Sequence, residues 1–149
     1  MSTLQKVRTE IEKQGSTSTI QLAQYLAAGK NPNAAVSTAG GNAVPLLIFA
    51  TYHGKAAAVI ALLANPQTDP NITESDPAYS ALWYASQGLD ATLAGMALQS
   101  EKRACWDAII NDQRTSPSNA VVGAVRGMIK GFAKTEPDAW DEFLKLAQK

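Results

Sequence analysis

Two short turns, Asn31-Pro32-Asn33 and Asp69-Pro70-Asn71, lie 38 residues apart, and each follows an apolar stripe with helical spacing. Proline fixes its own φ, and Asn or Asp side chains bond to nearby backbone, so such a triplet reverses the chain. The stripe before the first turn is Leu22, Tyr25 and Leu26; its counterpart Val59, Leu62 and Leu63 comes 37 residues later. Leu93, Met96 and Ala97 continue the series after a further 34, and Leu47 and Ala50 return as Leu82 and Ala85 after 35. A unit of two helices and a turn cannot bury its apolar face alone, so a chain that repeats such a unit must stack its copies.

The local signals between these landmarks are helical. Leu4, Val7 and Ile11 share one face, Ser2 with Gln5 has the form of a capping box, and Gly15 is placed as a stop. Ser18 with Gln21 predicts a second box for a helix that ends at Gly29. Ala34–Asn42, small, polar and glycine-containing, reads as loop. A third helix is predicted from Pro45 to about Gly54, a fourth over Lys55–Asn65 and a fifth from Ser80 to Gly88. Between Asp90 and Asp112 punctuation is sparse, and the pattern fits either one helix or two broken near Ser100. Ser116-Pro117 and Thr135-Glu136-Pro137-Asp138 open two more helices, the last packing Trp140, Phe143 and Leu144. No strand pattern of period two stands out, so the expected fold is all-α.

These pieces together resemble the ankyrin-repeat family. Ser80–Ala85, "SALWYA", stands where the family has Thr-Pro-Leu-His-x-Ala, and Pro45–Lys55, "PLLIFATYHGK", ends in a similar glycine corner. "LAQYLAAGKNPN" at Leu22–Asn33 and "VIALLANPQTDPN" at Val59–Asn71 match the second helix and the turn after it. The resemblance covers about residues 3–98; Ile48 and Trp83 depart from the family's histidine position, and residues from about 100 onward fit no repeat. It implies a single domain: a short helical solenoid capped by helices over about 99–149. A finger-like loop, Ile72–Tyr79, would lead into the third helix pair. The family analogy also implies a non-catalytic protein–protein interaction module. In bacteria such a module would suit a toxin-neutralising (immunity) protein or a secreted effector.

Composition narrows the partner. With 13 basic and 13 acidic residues among 149, and no basic block, the chain lacks the electrostatic footprint of a nucleic-acid or anionic-membrane binder. Its longest apolar run, Ala43–Ala50, is far too short for a membrane span. The charged N-terminus and the single cysteine, Cys105, fit a reducing, cytoplasmic location, and signal-independent export would leave the same pattern. Without a secretory signal, Asn71-Ile72-Thr73 carries no expectation of glycosylation.

The expected partner, another protein, would be gripped by Tyr52, His53, Glu74, Asp76, Tyr79, Trp83 and Gln87, along the loops and first helices. Tyr and Trp supply large contact area at small entropic cost. Core is the competing reading for Trp83 and the preferred one for Tyr84, Trp106 and Trp140. The competing function is a small all-α hydrolase that uses His53, with Cys105 as nucleophile, or a carboxylate pair drawn from Glu74, Asp76, Asp90 and Asp107. No paired His/Cys pattern calls for a metal, and no motif calls for a cofactor. Gly123, Gly127 and Gly131 share a helical face, which suits close helix packing or a homodimer contact.

Overall fold

The computed structural model describes residues 2–75, 79–89 and 99–116, together with 137, 138, 141, 144 and 145. The stripe at Leu93, Met96 and Ala97, the glycines 123, 127 and 131, and Trp140 lie outside the described residues. Within the continuous stretches of described residues there are six helices: α1 (Thr3–Glu12), α2 (Ile20–Ala27), α3 (Leu46–Tyr52), α4 (Ala56–Leu63), α5 (Ala81–Ala85) and α6 (Gln99–Ile110). A single 3-10 turn, Ser86–Leu89, extends α5. Strands β1 (Ala35–Ser37) and β2 (Ala43–Pro45) form an antiparallel hairpin between α2 and α3.

The hairpin corrects the all-α expectation and the reading of Ala34–Asn42 as loop. Val36 and Val44 face each other across the ladder and are buried, while Ala35, Ser37 and Ala43 are exposed. Gly41, at φ +87°, lets the connection close. Strands of three residues show only one and a half periods of alternation, too little to register as a sequence pattern. A second, smaller version lies before α5: Thr73 bridges Ser80, and the Glu74 N–H donates to the Tyr79 carbonyl at 3.0 Å. Both hairpins lead directly into a helix, at Pro45 and at Ser80.

The helices pair in sequence, α1 with α2, α3 with α4 and α5 with α6. Contacts also run from α1 to α3 to α5, and from α2 to α4 to α6, so first helices form one row and second helices another. Val7, Ile11, Leu22, Leu46, Leu47, Phe49, Val59, Leu62, Leu82, Trp106 and Ile109 fill the space between the rows. The hydrophobic effect explains the arrangement, because each pair completes its burial only against the next.

Asparagine side chains bind one turn to the next. The Asn33 N–H donates to Asn31 Oδ1, and the Asn71 N–H to Asp69 Oδ1, each at 2.9 Å. The Asn33 amide then reaches forward, donating to the Gln67 carbonyl at 2.9 Å and accepting from the Asp69 N–H at 2.8 Å. Asn71 repeats this one unit later, donating to the Arg114 carbonyl at 2.8 Å and accepting from the Ser116 N–H at 2.5 Å. A third turn therefore exists at Asp112–Ser116, where the sequence reading placed no repeat. Its bonds copy those of the second: Thr115 Oγ1 donates to the Ile109 carbonyl at 2.6 Å, as Thr68 Oγ1 does to Leu62 at 2.5 Å. Helix α6, which ends at this turn, packs against α5 and α4.

Helix α1 starts with the predicted Ser2–Gln5 capping box. The box predicted at Ser18 does not form. Instead, the Glu10 carboxylate of α1 accepts from the Gln21 and Leu22 N–H groups at 2.9 and 3.0 Å and from the Ser18 hydroxyl at 2.9 Å. An anion at a helix N-terminus satisfies orphan donors and the helix dipole together. Glu10→Gln should cost about 1 kcal/mol, read as a fall of about 3 °C in thermal midpoint. An unchanged midpoint would mean that water caps α2 equally well.

Candidate functional site

At the hairpin end of the first-helix row, six rings form a connected series. Phe49 and His53 lie 4.6 Å apart between ring centroids, His53 and Tyr52 5.3 Å, and Tyr52 and Tyr84 6.0 Å edge to face. Tyr84 then meets Trp83 at 5.0 Å and Tyr79 at 6.2 Å, both edge to face. Tyr79 and Trp83 stack in parallel, 3.8 Å apart with an interplanar angle of 1°. Helix α3 contributes Phe49 and Tyr52 and its C-cap His53, α5 contributes Trp83 and Tyr84, and the second hairpin contributes Tyr79. Tyr52 is 54% exposed, whereas Tyr79, Trp83 and Tyr84 are half-buried.

The series borders a cavity of about 270 Å³ whose walls come from four places. They are Glu12 of α1, the turn between β1 and β2, the Ile48–His53 end of α3, and Glu74 with Tyr84. The Tyr84 hydroxyl donates to Glu74 Oε1 at 2.5 Å, and the Glu12 carboxylate pairs with Arg8 at 3.0 Å. Burial, helped by the bond to Glu74, holds the Tyr84 hydroxyl far above the usual phenol range, so it stays protonated. Burial also lowers the His53 pKa, against the pull of Glu12 and with the help of Lys55, Arg8 and Lys102, so its ring is neutral at pH 7.

Of the sequence-predicted residues, Tyr52, His53 and Glu74 line this one cavity, and Tyr79 and Trp83 stand beside it through Tyr84. Asp76 and the side chain of Gln87 lie outside the described residues. Tyr84, expected in the core, is half-buried against it and also joins the two halves of the aromatic series. Neither Glu12 nor the β1–β2 turn is distinguished in the sequence, because the folded hairpin carries the turn to α3 and the packing of α1 against α3 brings Glu12 there. The three-residue spacing of Tyr52, Phe49 and Leu46 was the available hint that Phe49 shares a face with Tyr52.

Of the groups proposed for hydrolysis, His53 and Glu74 line the cavity, Cys105 and Asp107 do not, and Asp76 lies outside the described residues. Cys105 is fully buried in α6, and burial pushes its thiol up to about 12, opposite to the requirement of a nucleophile. His53 touches Phe49 and Tyr52, and no side chain among the described residues hydrogen-bonds its imidazole. Asp107 is exposed and engaged by Arg103 at 3.4 Å, while Asp90 lies outside the described residues. Among the described residues no three His, Cys, Asp or Glu side chains are grouped to hold a metal ion, and no helix is long and apolar enough to cross a membrane.

Cys105 gives the protein a signature at alkaline pH. Unfolded, its thiol ionises near pH 8.5; folded, it keeps its proton to about 12. The stabilising effect of that retained proton is complete below the unfolded value and is lost as pH rises through the window between the two. Urea midpoints should fall with pH above about 9, and Cys105→Ala should show a shallower fall. An identical slope would place the alkaline sensitivity in the tyrosines. Comparison with protein-family models, curated protein sequences and solved structures returns no match.

Proposed function

We propose that this chain is a non-catalytic, ankyrin-like recognition module that binds another protein through the ring series running from Phe49 to Trp83. The observation that carries the reading is the stacked Tyr79–Trp83 pair, coupled edge-on through Tyr84 to the exposed Tyr52. Large rings held by one another lose little entropy on binding, and such residues dominate interface energetics. The two rows of helices, the hairpin before each later pair and the forward-reaching Asn33 and Asn71 amides support the repeat reading. A toxin-neutralising or effector role is a narrower form of the same proposal. It would be supported by a toxin encoded beside this chain and captured by it.

The test uses tagged protein against the products of neighbouring reading frames, with the partner followed by co-purification and calorimetry. Tyr79→Ala with Trp83→Ala should weaken the complex by at least about tenfold, or about 1.4 kcal/mol. Ile60→Ser, at an exposed position on the second-helix row, should leave binding unchanged. Equal affinity of the double variant, at unchanged helical content, would reject this face.

A further inference from the structure

Beside the stacked pair, the cavity has its own chemistry. Its charged walls are two carboxylates, Glu12 and Glu74, and its apolar walls include the rings of Phe49, Tyr52 and Tyr84. The chain already displays at the rim what such walls attract. The Arg8 guanidinium lies 5.8 Å from the Phe49 ring centroid and 3.0 Å from Glu12, and its Nε donates to the Ser37 carbonyl at 2.6 Å. Lys102 similarly lies 5.4 Å from the Tyr52 ring centroid.

Arg8 offsets the charge of Glu12. Glu74 differs: its Oε1 accepts from Tyr84, and among the described residues no cation pairs with it and no donor reaches its Oε2. A carboxylate oxygen left open beside ring faces is complementary to a planar cation, which can stack on a ring and donate to the oxygen at once. The volume, about 270 Å³, falls just below the range of sites for drug-sized ligands, which begins near 300 Å³, and suits one side chain.

We propose that this cavity is an arginine socket: it receives the guanidinium of an arginine on the partner protein, stacked against one of the two perpendicular rings of Tyr52 and Tyr84 and hydrogen-bonded to Glu74. The inference rests on the protein-binding reading and supplies the chemistry of the partner's anchor. Burial and the nearby Lys55, Arg8 and Lys102 favour the neutral form of His53 at the wall; the same cations oppose a bound cation, so the attraction rests on Glu74 and the rings.

The test is an NMR titration of the full chain with N-acetyl-arginine methylamide, following the ring resonances of Tyr52, His53 and Tyr84. The neutral isostere, N-acetyl-citrulline methylamide, is the control. The arginine probe should give saturable shifts confined to these rings with a dissociation constant in the millimolar range, and citrulline should bind at least about tenfold more weakly. Glu74→Gln, which keeps the acceptor for Tyr84, should weaken the arginine probe by about tenfold without altering spectra elsewhere. Equal binding of citrulline, indifference to Glu74→Gln, or absence of saturation would each overturn the socket. The two failures separate. Partner capture lost with Tyr79 and Trp83 but no arginine response rejects the socket alone, whereas an arginine response with capture indifferent to those rings rejects the binding face.

Discussion

Replacing Gly88 by alanine is expected to destabilise the protein by about 3 kcal/mol, a larger effect than one added methyl group ordinarily has. Gly88 lies in the 3-10 turn after α5, pressed against α6. A Cβ built there would stand 2.7 Å from Arg103 Cα and 2.8 Å from the Lys102 carbonyl carbon. These are backbone atoms of a twelve-residue helix, so no rotamer change relieves the contact and the helix must shift as a body. Because α6 also packs on α3 and α4, that shift would disturb Trp106 and Ile109 in the core. Urea unfolding gives the measurement, with Gly29→Ala as the contrast. Gly29 has nothing within 4 Å of its Cβ position and only a positive φ of +74° to lose, which costs about 1 kcal/mol. Equal losses at the two glycines would show that backbone freedom, not close approach, is what Gly88 supplies.

Arg114→Met is expected to cost about 2–3 kcal/mol, because one guanidinium closes the end of α4 and holds the second turn to the third. Its Nη2 donates to the Leu63 carbonyl at 2.7 Å, and its Nη1 to the carbonyls of Thr68 at 2.9 Å and of Asn65 and Pro66 at 3.3 Å. Asp112 orients the group from the other side, accepting from Nε at 3.0 Å and Nη2 at 2.8 Å. Carbonyls at a helix C-terminus have no partner of their own and carry partial negative charge, so a cation there is favoured. Arg114→Lys should recover less than half of the loss, since an ammonium cannot fork among several acceptors. The side chain remains about a third exposed, and water will replace part of what methionine removes, which keeps the expected loss below the sum of the separate bonds. A loss below about 0.5 kcal/mol in chemical denaturation would transfer the role to the Asn71 amide, which bonds the same turn through its backbone.

The third turn departs from the 38-residue spacing for a simple reason. Leu62-Leu63-Ala64-Asn65 and Ile109-Ile110-Asn111-Asp112 correspond, as do Thr68-Asp69-Pro70 and Thr115-Ser116-Pro117, but they stand 47 residues apart instead of 38. A search tied to one period passes over a unit with an insertion, although the hydroxyl, Asx and proline positions within it are kept. The candidate site was legible in part. Tyr52, Tyr79 and Trp83 are expected from sequence on an uncovered surface; Tyr52 is exposed there, whereas Tyr79 and Trp83 are half-buried against each other. Glu12 is not expected there, because nothing local distinguishes it from the other acids of an amphipathic helix. Its proximity to His53 depends on how α1 packs against α3.

Interactions within a few residues were settled by the amino-acid order itself: the Ser2–Gln5 box, the Asx-Pro turns and the apolar stripes of α2 and α4. Each needs only its own neighbours and the fixed geometry of a helical turn. The tertiary structure alone decided that Glu10 caps α2, that Asn33 and Asn71 reach into the following unit, and that Tyr84 joins two groups of rings around a cavity. The backbone groups that Glu10, Asn33 and Asn71 bind stand 11 to 45 residues away in the chain, and Tyr52 stands 32 residues before Tyr84. Which distant groups meet is chosen by the burial of the whole stack, a cooperative quantity that no short stretch of sequence contains.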